Sequence, residues 1–118
     1  MVGYGPKEEV PNNEPTFKVV DEMPKFPGGQ EGLMRYLARN IKYPTMAQQN
    51  KEQGKVLVQI VIDKDGNVSN IKILKGASAW LDAEAIRVVR GMPKWEPGKQ
   101  NGQAVAVEYT FPITFRLQ

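Results

Sequence analysis

The strongest constraint on what this chain can fold into lies near its C-terminal end. From Ala104 to Leu117 the odd positions read Val105, Val107, Tyr109, Phe111, Ile113, Phe115 and Leu117. The even positions read Ala104, Ala106, Glu108, Thr110, Pro112, Thr114 and Arg116. An unbroken period of two is the pattern of a strand with one buried face, and this run exceeds the usual length of about five or six residues. Pro112 adds a second constraint. Proline has no N–H to give to a ladder, so it belongs on an edge strand or in a bulge. In an antiparallel pair the backbone groups of alternate residues point to the same side. A Pro112 that faces a free edge therefore takes the N–H and C=O groups of Ala106, Glu108 and Thr110 with it. Proteins usually blunt such an edge, because it is a template for pairing with another chain. Here the edge itself is the candidate for function.

The rest of the chain builds what that strand needs. Residues 1–15, with Lys7, Glu8, Glu9 and prolines at 6, 11 and 15, offer almost nothing to bury and read as a linker. Residues 16–118 read as one domain. Phe17 to Val20 is a short extended piece, and whether it covers the edge of the last strand is left open by the sequence. Leu33, Leu37 and Ile41 recur every fourth residue and predict a helix over 30–42, ended by Pro44. A shorter helix follows to about Glu52, with Gly54 after it. Val56, Val58, Ile60 and Ile62 alternate in a strand that runs into Asp63-Lys64-Asp65-Gly66-Asn67, where Asp-Gly signals a hairpin. The returning strand, Val68 to Lys75, has Ile71 and Ile73 in phase and Val68 out of phase, which predicts a bulge near Ser69. Leu81, Ala85, Val88 or Val89, and Met92 predict a third helix, with Asp82 and Glu84 answering its dipole. The expected fold is α+β: a two-layer sandwich in which a small three-stranded antiparallel sheet carries helices on one face. The last strand is expected beside the first strand of the hairpin.

Composition narrows the chemistry. The chain has no cysteine and no histidine, which removes thiolate nucleophiles, zinc–sulfur sites and the commonest general base and metal ligand. The 16 basic residues are scattered, leaving a net charge of +3 without the dense stripe that a nucleic-acid partner calls for. No run of about 18 apolar residues spans a membrane, so any anchor is expected upstream of these residues. The Asp63–Asn67 cluster is not a calcium loop. Counted from Asp63, its glycine comes fourth and Leu74 occupies the twelfth place, where an EF-hand has glycine sixth and glutamate twelfth. Gly28-Gly29 lacks the spacing of a phosphate loop, and no histidine stands ready to activate Ser69 or Ser78. The reading is a non-enzymatic domain with no cofactor, no metal and no catalytic residue.

Several of these pieces occur in a known order. Tyr43-Pro44 with Ala47, Gly54-Lys55-Val56-Leu57-Val58, Asp65-Gly66-Asn67-Val68, Leu81-Asp82-Ala83-Glu84-Ala85, Trp95-Glu96-Pro97-Gly98-Lys99 and Phe111-Pro112-Ile113-Thr114-Phe115 together resemble the C-terminal domain of TonB, the energy transducer of the Gram-negative envelope. Phe26-Pro27-Gly28-Gly29 resembles a subgroup with an added N-terminal helix. The resemblance covers about residues 17–118. It implies a periplasmic module tethered to the inner membrane by an upstream helix and driven by the ExbB–ExbD motor through the proton motive force. Its partner would be an outer-membrane TonB-dependent transporter, whose N-terminal box peptide is added to the sheet as a strand. In the family the partner lies along the last strand, which maps here to Val105, Ala106, Val107, Glu108, Tyr109, Thr110 and Phe111. Lys42, just before Tyr43-Pro44, occupies a place that also contributes in some members. Two other readings of the same fold stay open: a recognition domain of a membrane sensor or antirepressor peptidase, and a structural module that forms a homodimer through its own edge strand.

Overall fold

The computed structural model describes residues 15–117. The linker expected over residues 1–15 lies, except for Pro15, outside them. In chain order the elements are β1 (Thr16–Phe17), α1 (Gly29–Asn40), α2 (Thr45–Gln49), β2 (Gly54–Ile62), β3 (Val68–Lys75), α3 (Ala79–Arg90), β4 (Gly98–Gln100) and β5 (Gln103–Phe115).

The expected sheet is present. β5 pairs antiparallel with β2 from Gly54↔Phe115 to Ile62↔Val107, and β2 pairs antiparallel with β3. Two further strands extend it. β1 lies parallel to β5 on the side away from β2, and β4 pairs with the start of β5. The bulge expected near Ser69 appears as a shift of register next to the Val61↔Ser69 pair. Asn70 takes φ 48° there, a left-handed value that asparagine tolerates better than most residues.

Local chemistry explains where the elements begin and end. Gly28 (φ 85°) turns the chain into α1 in a conformation that only glycine adopts freely. Pro44 precedes α2. The Ser78 hydroxyl accepts from the Leu81 N–H at 3.2 Å, and this cap starts α3 two residues before the apolar pattern does. In the hairpin turn the Asp63 carboxylate accepts from the N–H groups of Asp65 and Asn67, both at 2.9 Å. That carboxylate closes a turn, as the glycine spacing implied.

The core lies between one face of the sheet and the helices. Val56, Val58, Ile60 and Ile62 of β2 and Phe111, Ile113 and Phe115 of β5 face Leu33 and Leu37 of α1. Leu81, Ala85, Val88 and Val89 of α3 complete it, so both candidate valines are buried. Each large aliphatic side chain buried in this way contributes roughly 1.5–3 kcal/mol.

Candidate functional site: the outer border of β5

From Tyr109 to Phe115, β5 is paired with β2 along one side. Its ladder with β2 passes through Val58↔Phe111, Leu57↔Pro112 and Val56↔Ile113 without a change of register. An inward-facing proline could not supply the bond that such a ladder needs, so Pro112 directs its missing donor outward. The backbone groups of Thr110 and Thr114 therefore face outward as well. Inward, Tyr109 stacks edge-on against Trp95 at 5.2 Å between ring centroids, and Phe115 against Tyr43 at 5.8 Å. These contacts lock the strand's rotation about its own axis, so the border points in one direction.

β4 pairs with Gln103 to Val105 at the start of β5, and the outer border beyond them is divided. Next, β1 pairs Thr16 with Ala106 and Phe17 with Val107, and the Lys18 ammonium lies 3.8 Å from the Glu108 carboxylate. Ala106, which lies outside the apolar odd set, is buried where β1 flanks it. Beyond Glu108, among the described residues, no strand is paired with this side of β5. Of the residues read from the sequence as partner-binding, Val105, Ala106 and Val107 thus already carry a strand of the chain itself. Tyr109, Thr110 and Phe111 continue onto the open stretch, and Glu108 sits at the boundary.

A groove of about 500 Å³ runs along that open stretch. Phe111, Pro112, Ile113 and Thr114 form one wall, and α1 forms the other through Leu33, Met34, Leu37 and Ala38, with Ile41 just past its end. Four consecutive β5 residues line it, from both faces of the strand, while no β2 residue does. The groove therefore follows the strand's outer border and does not lie beneath the sheet. Met34 is 57% exposed in it.

α1 is fixed in this position by contacts that no local pattern reveals. Leu33 and Leu37 are buried, and the Tyr36 hydroxyl donates to the Val88 carbonyl at 2.9 Å. Burial raises the Tyr36 pKa, with Arg87 opposing. At the end of α1, Glu84 accepts from the Lys42 backbone N–H at 2.7 Å and from Arg87 Nε and Nη2 at 2.8 and 2.7 Å. Arg87 Nη2 also donates to the Asn40 carbonyl at 2.8 Å. Lys42 is thus tied by its main chain to α3, directly after the groove residue Ile41, and its side chain is exposed. Sequence reasoning placed Lys42 near the site but missed α1 as a wall. The available signal was Met34 and Ala38, apolar residues beside the Leu33–Leu37 stripe that the core does not absorb.

Among the described residues no cluster of three or more His, Cys, Asp or Glu could hold a metal, and no helix is long and apolar enough to cross a membrane. What the border offers is backbone and apolar surface. A three-stranded antiparallel core sheet with helices on one face and a long terminal strand defines a small α+β interaction domain. The chain belongs to the family of Gram-negative bacterial TonB protein C-terminal domains, whose model matches residues 39–117. It is similar to the solution structure of the Helicobacter pylori TonB C-terminal domain, with 27% identity over 73% of this chain and 78% of that one, and a TM-score of 0.56. It is also similar to the Pseudomonas aeruginosa TonB C-terminal domain, with 29% identity over 65% of this chain and 78% of that one, and a TM-score of 0.53. No curated protein matches the chain. Membership makes this a non-catalytic domain of TonB-like energy transduction. The matched residues begin at 39, so nearly all of α1 precedes them.

Proposed function

We propose that residues 16–118 form a periplasmic module that binds the N-terminal box segment of an outer-membrane TonB-dependent transporter by adding it as a strand to β5. Residues 1–15 serve as the linker to an inner-membrane anchor upstream, through which the ExbB–ExbD motor transmits the proton motive force. The observation that carries this reading is the border of β5 beyond Glu108, which is unpaired among the described residues. Extended backbone with unmet N–H and C=O groups is satisfied best by another extended chain. Recognition through main-chain groups suits a domain that serves receptors of differing sequence. Each bond added contributes only about 0.5–1.5 kcal/mol net, so binding is modest and release after a transport cycle is possible.

Proline scanning tests the assignment. Thr110→Pro removes an outward N–H and is expected to abolish binding of a labelled transporter N-terminal segment while leaving the fold intact. Tyr109→Pro removes an N–H that serves the β2 ladder and is expected to unfold the domain. Titration by fluorescence anisotropy, with circular dichroism as the folding control, reads both. Undiminished binding by a folded Thr110→Pro variant would reject the β5 border.

A further inference from the structure

Resting on the strand-addition reading above, we infer that α1 is the second wall of the docking site, and that the occupant is an extended partner segment whose alternate side chains are apolar. The groove is continuous with the open border of β5. A strand added to β5 would lie about 4.8 Å from it, along the border that the groove follows. Every second side chain of that strand would share the face of Phe111 and Ile113 and so point at α1. It would meet Met34, Ala38 and Ile41, none of which is fully buried by the domain's own core.

Backbone donors along this border are also few. β1 takes the border at Ala106 and Val107, and Pro112 has no N–H to offer midway along the remainder. An edge so reduced holds a partner weakly by main-chain bonds alone, so side-chain burial must supply the rest. The groove stands beside the same residues where a bond is missing, and its volume of about 500 Å³ accommodates several side chains. A helix or a compact domain would fill the apolar space and leave the β5 backbone unanswered. An extended chain meets both demands. α1 lies almost wholly before the family-matched residues.

The probes are a short labelled peptide in which valine and serine alternate and a scrambled peptide of the same composition with the valines in one block. The wild-type domain should bind the alternating peptide at least about fivefold more tightly than the block. Met34→Glu and Ala38→Glu, both at exposed positions that leave the fold alone, should weaken the alternating peptide about tenfold. Met34→Leu should keep binding within about twofold. If Thr110→Pro abolishes binding while both glutamate variants bind normally, strand addition stands and the α1 wall is refuted. If the glutamate variants weaken binding but Thr110→Pro does not, the occupant is not a strand on β5 and both readings fail. A Met34→Glu effect confined to sedimentation would make the groove a contact between copies of the chain, and equal affinity for the two peptides would remove the side-chain pattern. Either result overturns the inference.

Discussion

Glu84 stays charged in a buried setting because three donors converge on it. The Arg87 hydrogen bonds pull its pKa below the usual carboxylate range, burial opposes them, and the Lys42 N–H adds to the lowering. A depressed folded pKa contributes stability that is complete above the unfolded value, about 4.3 for glutamate, and is lost as pH falls through the lower folded value. Glu84→Gln should therefore cost about 2 kcal/mol at pH 7, and the gap to the native chain should close in acid below the folded pKa. Urea unfolding at several pH values measures this, and a gap independent of pH would contradict it. Little of this role was legible in the sequence. Glu84 reads as an acidic residue answering a helix dipole, yet Asp82 takes the local capping role by accepting from the Ala77 N–H at 2.9 Å. Glu84 reaches Lys42, 42 positions away. No periodicity encodes such a pair.

At the scale of elements, the hairpin turn and β1 behave differently. Asp65-Gly66 announces its turn locally, but the turn is also packed. Gly66 has φ 89°, and a Cβ placed there would lie 2.1 Å from the Trp95 carbonyl oxygen. The Trp95 N–H donates to the Gly66 carbonyl at 2.8 Å. Gly66→Ala should cost about 3 kcal/mol or more from backbone strain plus the clash, read as a lower urea midpoint. β1 is the opposite case. It contributes two residue pairs, its Thr16 is exposed, and Val19 just after it is 83% exposed. Deleting residues 1–18 should leave the β5–β2–β3 sheet folded. It should tighten transporter-segment binding by up to about fivefold, because a competitor worth roughly 1 kcal/mol is removed from the border. Calorimetric titration checks this, and weaker binding would mean that β1 is part of the site. The extended character of this piece was visible in its residues. Its parallel placement on β5 was not, because pairing across the length of a chain leaves no local mark.

For the whole molecule, the layout bears on force. β5 stands between its open border and β2, and β2 is the central strand joined to β3. A partner strand pulled along its own axis loads its bonds to β5 together, and that load passes into the middle of the sheet. Stretching a domain–peptide complex with a single-molecule probe should give rupture forces several-fold higher in shear than when the strand is peeled from one end, and equal forces would contradict the shear model. The sequence by itself determined the α+β class, the hairpin and its bulge, the helices to within a few residues, and the buried face and outward proline of β5. Those features follow from periods of two and about 3.6 and from turn chemistry, which neighbouring residues carry between them. Only the tertiary structure decided which part of the border stays open, that α1 stands beside it to make a groove, and that Glu84 and Tyr36 hold α1 there. These depend on residues far apart in the chain meeting in space, and that meeting is settled by packing and not by local pattern.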